Sequence, residues 1–218
     1  MSTLSSLVIS EIYQSVQGEA AFAGWPCTFV RLTGCPLRCR WCDTVYGFKG
    51  GQTLDFEAIK TQIRAFGIPL VELTGGEPLA QEGCAQLMRE LIEEGYRVMI
   101  ETSGSESVEH LPPETHIIMD LKCPGSGMEA RNHYANLQWL KPSDEIKFVI
   151  ADRADYEWAR NLVRMEQLDT RFQVLFSTAF GLLQPQLLVE WMLEDKMHRV
   201  RLNLQQHKYI WKPTAKGV

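Results

Sequence analysis

Short runs of β-forming residues alternate along the chain with amphipathic stretches, and this alternation limits the folds that the chain can adopt. Apolar residues in the amphipathic stretches recur every three or four positions, as in helices that pack against a sheet. Strands that alternate with helices predict an α/β fold with a mainly parallel sheet. The predicted strands are 8–13, 28–32, 70–73, 98–101, 117–121, 146–150, 173–176 and 200–204, and the predicted helices are 56–66, 79–94, 156–165 and 185–193.

Polar and glycine-containing segments follow several of the predicted strands. They are Gly75-Gly76, Thr102-Ser103-Gly104, Lys122-Cys123-Pro124-Gly125 and Gln205-Gln206-His207-Lys208. A TIM-type barrel gathers such segments at the carboxyl ends of its strands, where its active site lies. The 218 residues fall short of the ~250 typical of eight βα units, so we expect one domain, 1–218, built as an incomplete TIM-type barrel of about six units. The pattern alone equally allows an open doubly wound sheet.

The composition argues against several classes of function. The net charge of −5 leaves no basic face that would bind nucleic acid. No apolar run approaches the ~20 residues of a membrane span, and residues 1–6 lack the basic and apolar regions of a signal peptide. Six cysteines in such a chain are typical of metal ligands and core thiols in a reducing compartment. We therefore expect a cytoplasmic protein that binds neither nucleic acid nor membranes.

Three cysteines within eight residues, Cys35, Cys39 and Cys42, predict a metal centre. Thiolates are ligands of iron–sulfur clusters and of zinc, and the spacing alone favours neither. A zinc site usually adds a second ligand pair, which the sequence does not provide. We therefore favour a 4Fe–4S cluster with one iron open to an outside ligand. Cys27 and Cys84 lie in apolar patterns typical of buried thiols.

The cysteine motif, with Trp41 just before its last cysteine, resembles that of the radical S-adenosylmethionine (SAM) enzymes. A second segment, Thr74-Gly75-Gly76-Glu77-Pro78, resembles the glycine-rich SAM-binding motif of that superfamily. Glycines at a strand end let the backbone approach a ligand closely. The resemblance implies that SAM binds the open iron through its amino and carboxylate groups. It also implies that one electron from the cluster cleaves SAM to methionine and a 5′-deoxyadenosyl radical.

Further segments resemble one family in particular, the 7-carboxy-7-deazaguanine synthases of the queuosine pathway. The segments are 15–19 with 29–35, Cys42-Asp43-Thr44, and 203–210. The resemblance implies a radical ring contraction of 6-carboxy-5,6,7,8-tetrahydropterin to 7-carboxy-7-deazaguanine with loss of ammonia. It further implies that SAM is regenerated in each turnover, that Mg²⁺ assists, that an electron donor such as flavodoxin reduces the cluster, and that the protein is a homodimer.

The same resemblance assigns roles to individual residues. The cluster would be held by Cys35, Cys39 and Cys42, and Mg²⁺ by Thr44. The residues near SAM would be Trp41, Cys42, Asp43, Gly76, Ser103, Asp120, Leu121 and Lys122. The residues near the pterin would be Val16, Gln17, Gly18, Glu19, Arg31, Thr74, His207 and Pro213. Ala20 stands where the family often has glycine, which raises the question whether the turn there needs a positive φ.

Plainer interpretations stay open. Without the resemblance, Arg31 would be a surface or ion-paired arginine, Thr44 a helix cap, and His207 a hydrogen-bonded structural histidine. Two other functions fit part of the sequence. A glycyl-radical activating enzyme shares the cysteine spacing and would consume SAM stoichiometrically. A non-enzymatic binding module with a structural zinc would use the same thiols.

Overall fold

The computed structural model of the protein describes residues 5–218, and these contain nine strands and six α-helices. The expectation about a signal peptide rests mainly on residues 1–4, which lie outside the described residues. The strands are β1 (Ser6–Val16), β2 (Pro26–Leu32), β3 (Gln52–Asp55), β4 (Leu70–Gly75), β5 (Arg97–Thr102), β6 (His116–Asp120), β7 (Glu145–Ile150), β8 (Gln173–Thr178) and β9 (Val200–Leu202). The helices are α1 (Phe56–Phe66), α2 (Cys84–Glu93), α3 (Arg153–Met165), α4 (Leu168–Arg171), α5 (Pro185–Glu194) and α6 (His207–Ile210).

All nine strands form one sheet in the order β3-β1-β2-β4-β5-β6-β7-β8-β9. β1 pairs antiparallel with β2 and β3, and every other pair is parallel. From β4 onward the strands follow chain order without the reversal that defines a doubly wound sheet. Because β3 and β9 stand at opposite ends of the order, the sheet is open, which confirms the expected incomplete barrel.

The crossovers are less regular than six βα units would be. α-Helices lie between β3 and β4, β4 and β5, β7 and β8, and β8 and β9. Within residues 5–218, the β5–β6 connection contains no helix, and the β6–β7 connection contains three short 3₁₀ turns. Both connections fall where the sequence shows no amphipathic stretch, so the prediction of four helices from periodicity matches the four covered crossovers.

Two predicted elements illustrate how local signals set their bounds. α1 has its predicted bounds, because Asp55 accepts a hydrogen bond from the Ala58 amide at 2.7 Å and Gly67 ends the helix with φ of 66°. α2 begins at Cys84 and not at 79, because Pro78–Ala80 form a separate 3₁₀ turn. β3 was not predicted, because its mostly exposed residues lack an alternating apolar pattern.

Alternate residues of the parallel strands face the two sides of the sheet, as β4 illustrates. Val71 and Leu73 pack into the main hydrophobic core between the sheet and the helices. Leu70 belongs to a smaller apolar cluster on the barrel side. Glu72 and Thr74, which face the same way further along the strand, line a cavity. The barrel interior therefore has an apolar floor beneath a polar cavity.

Cys27 and Cys84 are fully buried, as their sequence patterns predicted. No helix among residues 5–218 has the length and apolar character needed to cross a membrane.

Candidate active site

A cavity of about 570 Å³ lies at the carboxyl ends of the parallel strands. Its walls come from the turn 16–19, the loops after β2, β4, β5 and β6, the helix α6, and residues 212–218. All but one of the predicted site residues line it, namely Val16, Gln17, Gly18, Glu19, Arg31, Cys35, Cys39, Trp41, Cys42, Asp43, Thr44, Thr74, Gly76, Ser103, Asp120, Lys122, His207 and Pro213. The exception is Leu121, which is fully buried in the main core.

The three thiols predicted to hold a cluster are free and half-buried at the cavity wall. Burial raises the pKa of the Cys35, Cys39 and Cys42 thiols, while the nearby Lys122 ammonium favours their thiolate forms. Lys122 is itself paired with Asp120 at 2.8 Å. Three thiols from one loop at the wall of a cavity, beside a cation, are a donor set that would suit an iron–sulfur cluster.

The two glycines of the loop after β4 lie very close to the backbone of residues 32–34. Gly75 has φ of 146°, and a Cβ there would clash with the Leu32 backbone. A Cβ on Gly76 would clash with the carbonyl oxygen of Gly34, immediately before the first cysteine. Both glycines are therefore needed for this loop to pack against the cysteine loop.

Glu77, which follows the two glycines, holds two neighbouring loops together. Its buried carboxylate accepts hydrogen bonds from the Leu79 amide at 3.0 Å, the Thr102 hydroxyl at 2.8 Å and the Ser103 amide at 2.7 Å, and also from the Ser103 hydroxyl. Burial raises the pKa of Glu77, although these donors favour its charged form. Glu77 therefore positions Ser103, one of the residues predicted to lie near SAM.

Asp120 lines the same cavity and has an unused acceptor. Its Oδ2 binds Lys122, while its buried Oδ1 has no hydrogen-bond partner among the described residues. A buried carboxylate oxygen without a donor is costly, so this oxygen is suited to a donor group of a bound ligand.

The turn between β1 and β2 reaches into the barrel. The Gln17 side-chain amide donates to Glu72 of β4, and the Gln17 side-chain oxygen accepts from the Glu19 amide at 3.0 Å. Gly18 packs so closely against the His207 ring that a Cβ on Gly18 would clash with the ring. Burial lowers the pKa of His207, so the neutral imidazole is favoured there.

A buried charge cluster that sequence reasoning missed lies beside this turn. Lys147 of β7 binds the Glu19 carboxylate at 3.1 Å and also Glu101 of β5. Although burial opposes it, Lys147 lowers the pKa of Glu19. Burial, and then the neighbouring Glu101 and Glu19, raise the pKa of Glu72 well above its ordinary value, which favours a protonated carboxyl. The signal in the sequence is a charged residue between two apolar neighbours in a strand, as in Glu72 and Lys147.

Arg31 lies on the inner face of β2 with part of its hydrogen-bonding capacity already used. Its Nε donates to Glu11 at 2.8 Å and its Nη2 to the Tyr13 hydroxyl at 2.8 Å. The Tyr46 hydroxyl donates to the same Glu11 oxygen at 2.9 Å. Arg31 is thus ion-paired, as its plainer interpretation states, and it also lines the cavity.

Thr44 precedes the short 3₁₀ helix Val45–Phe48 but makes no capping hydrogen bond with it. Its hydroxyl donates to Asp43 Oδ1 at 3.0 Å. The other Asp43 oxygen binds Lys208 of α6 at 2.6 Å. Although partial desolvation at the cavity wall opposes it, Lys208 lowers the pKa of the half-exposed Asp43 carboxyl to about 2. α6 is thereby tied to the cysteine loop.

Comparisons with known proteins agree with this geometry. The profile of the radical SAM superfamily matches residues 29–114. The 7-carboxy-7-deazaguanine synthase of Koribacter versatilis is 47% identical over 96% of this chain and 99% of its own length. The protein of the same name from Chlorobaculum tepidum is 45% identical over 100% of both chains. The crystal structure of QueE from Escherichia coli matches with a TM-score of 0.76 and 25% sequence identity, over 93% of this chain and 95% of that one.

These findings decide between the functions that the cysteine spacing left open. The full-length relatives are named neither as glycyl-radical activating enzymes nor as zinc modules. With an open barrel, a three-cysteine loop beside paired glycines, and relatives of 45% and 47% identity across the chain, the protein belongs to the 7-carboxy-7-deazaguanine synthase family of radical SAM enzymes.

Proposed function

We propose that the protein converts 6-carboxy-5,6,7,8-tetrahydropterin to 7-carboxy-7-deazaguanine with release of ammonia. The observation that carries the proposal is one cavity that holds both the three free thiols and a turn of polar backbone flanked by buried charges. The thiols match a cluster-binding loop of the radical SAM family, and the turn offers hydrogen-bonding groups suited to the edge of a pterin.

Cys35, Cys39 and Cys42 would hold the 4Fe–4S cluster, and the cation of Lys122 nearby would favour their thiolate forms. When bound, the cluster and SAM together supply an electron and a 5′-deoxyadenosyl radical. The protein's part is to place the pterin beside that radical and to exclude water.

The SAM-binding residues of the proposal are Trp41, Cys42, Asp43, Gly76, Ser103, Asp120, Leu121 and Lys122. Three observations support parts of this set. Gly76 lines the cavity, and the absence of a Cβ lets its backbone lie directly against Gly34 and Cys35 of the cysteine loop. The hydroxyl and amide of Ser103 are fixed by Glu77. The free oxygen of Asp120 could accept from a SAM hydroxyl or amino group.

We assign the binding of the pterin to Val16, Gln17, Gly18, Glu19, Arg31, Thr74, His207 and Pro213. We add Glu72, Glu101 and Lys147, whose ionisable side chains line the cavity. Glu72 contacts Gln17, Lys147 contacts Glu19, and Glu101 contacts Lys147. A protonated Glu72 could donate to a pterin acceptor, whereas an ionised Glu19 could accept from its amino group. Together they would read the guanine-like edge by complementary donors and acceptors.

Mg²⁺ assistance through Thr44 is also part of the proposal. Because the Thr44 hydroxyl donates its proton to Asp43, the lone pairs of its oxygen stay free for a hard cation. Mg²⁺ prefers oxygen ligands and keeps several waters, so one protein hydroxyl suffices when a substrate carboxylate supplies further oxygens. A homodimeric state and reduction by a donor such as flavodoxin are proposed from the family resemblance alone.

Anaerobic turnover tests the proposal. Reconstituted protein with 6-carboxytetrahydropterin, SAM, Mg²⁺ and dithionite should form 7-carboxy-7-deazaguanine and ammonia while the SAM concentration stays constant. Cys39→Ala should lose both the cluster absorbance and the product, whereas Cys84→Ala, a buried thiol away from the cavity, should keep the cluster. Stoichiometric consumption of SAM without a deazaguanine product would overturn the proposed reaction.

A further inference from the structure

Ala20 has a left-handed backbone conformation, with φ of 62°. A residue with a Cβ avoids this region unless the surrounding structure fixes it there. Ala20 is also almost completely buried, in the apolar cluster inside the barrel. It directly follows Glu19, the last residue of the turn that lines the cavity. Its conformation therefore sets the direction in which Gln17, Gly18 and Glu19 face.

Asn203, which follows β9, contacts both Ala20 and the preceding residue, Glu19. Its side-chain oxygen accepts from the Ala20 amide at 2.8 Å. Its side-chain nitrogen donates to Glu19 Oε2 at 3.0 Å and to the Ser177 hydroxyl at 2.8 Å. The Asn203 side chain is buried and has every polar atom engaged, so its orientation is fixed. It does not line the cavity itself.

β7 supports the turn from the other side. Glu145 accepts from the Ala21 amide at 3.0 Å, and Lys147, two residues further along the same face, binds Glu19 at 3.1 Å. The peptide groups before and after Ala20 are thus both tethered. Of these tethers, only Asn203 bonds to Ala20 itself and also to Glu19.

We propose that Asn203 is a positioning residue for substrate binding: it holds Ala20 in the left-handed conformation and so presents the Gln17-Gly18-Glu19 turn to the pterin. This inference rests on the proposed function, and it gives a role to the first residue of the segment 203–210. It predicts a loss of pterin affinity, and not of SAM affinity, when the Asn203 contacts are removed.

The test compares four proteins in one cycle: the parent, Asn203→Ala, Ala20→Gly and the double variant. Dissociation constants for 6-carboxytetrahydropterin are measured anaerobically on the SAM-loaded holoprotein without reductant. SAM binding is measured separately on the oxidised cluster, which does not cleave SAM. At the turn, Asn203→Ala loses one neutral hydrogen bond, from the Ala20 amide, and one charge-assisted hydrogen bond, to Glu19. This loss should raise the pterin dissociation constant about 10- to 100-fold. The SAM dissociation constant should stay within about twofold, because Asn203 contacts Ala20, Glu19 and Ser177 and none of the residues assigned to SAM.

Ala20→Gly distinguishes a positioning role of Asn203 from a merely structural one, through the pterin affinity of the double variant. Glycine adopts positive φ without strain, so the double variant should recover roughly tenfold of the affinity that Asn203→Ala loses. Asn161→Ala, on the exposed face of α3, is the matched control and should bind both ligands like the parent. Thermal unfolding of all variants identifies any that fail to fold.

The outcomes separate the two hypotheses. If the parent does not bind the pterin, the proposed function fails. If the parent binds it and Asn203→Ala binds equally well, or loses SAM affinity to the same extent, the positioning role is overturned. If Asn203→Ala causes the same loss with and without the Ala20→Gly change, the role of backbone strain is overturned as well. Should Asn203→Ala not fold, Asn203→Asp replaces it. The aspartate keeps an acceptor for the Ala20 amide but sets a carboxylate against Glu19. Unchanged pterin affinity in Asn203→Asp would also overturn the inference.

Discussion

Replacing Lys147 with methionine removes the cation that lies between Glu19 and Glu101 while keeping an unbranched side chain of similar length. Lys147 has a side-chain exposure of only 4%, and Glu19 one of 12%. The variant would therefore leave Glu19 as a buried carboxylate without its counter-ion. We expect a large loss of stability, because a buried charge that loses its partner keeps its desolvation cost.

The geometry sets the size of the loss. Removing one partner of a buried ion pair costs about 3–5 kcal/mol. Glu101 is 28% exposed, so solvent screens its share of the interaction and the lower end of the range applies. A loss of about 3 kcal/mol corresponds to a fall in Tm of roughly 6–12 °C for a chain of this size.

The pKa shift of Glu19 determines how the loss of stability should change with pH. In the parent, Lys147 lowers the pKa of Glu19, so the stability from that pair is present above the ordinary glutamate pKa and is lost as the pH falls through the lowered value. In the variant that stability is absent, and the pKa of Glu19 rises. The difference in unfolding free energy between parent and variant should therefore shrink as the pH falls below the ordinary glutamate pKa.

Urea unfolding at several pH values measures this difference. The double variant Lys147→Met/Glu19→Gln removes the orphaned charge and should recover at least about 1 kcal/mol of the loss. A loss below about 1 kcal/mol at pH 7, the range of an exposed pair, would refute the reasoning. A loss that does not change with pH would refute it equally.

Arg31, Thr44 and Glu72 each give a further prediction. Arg31→Ala should raise KM for the carboxypterin strongly and leave SAM binding intact, since a charge-assisted hydrogen bond contributes about 1.5–3 kcal/mol; if Glu11→Gln has the same effect, Arg31 only serves its ion pair. Thr44→Val should assemble the cluster but need more Mg²⁺ for turnover, with Thr44→Ser milder, and an unchanged Mg²⁺ titration would remove the metal role. Because the pKa of Glu72 is raised, its contribution to stability is present below the ordinary glutamate pKa and is lost as the pH rises through the raised value. Glu72→Gln removes this titration. In urea unfolding, the variant should therefore lose less stability with rising pH than the parent.

Local patterns in the sequence predicted much of the fold. The periodicity of α1 and the alternation of strands and helices indicated an open parallel barrel, since these signals depend on neighbouring residues. The cysteine and glycine motifs likewise indicated where SAM chemistry would lie. The cluster around Lys147 was not predicted, because its partners Glu19 and Glu101 come from distant segments. The same reason hides the contact of Ala20 with Asn203, which joins residues 183 positions apart.

That long separation has a consequence for how the protein is made. The cysteine loop and the turn at Ala20 leave the ribosome well before Asn203 and Lys208, which bind Ala20 and Asp43. Contacts between such distant residues form late, because the intervening chain must first be ordered. The strands β4 to β8 can assemble while the two flanking segments are still apart. During that interval the cysteine loop lacks the ion pair between Asp43 and Lys208 that ties it to α6, so its three thiols are less enclosed than in the folded protein.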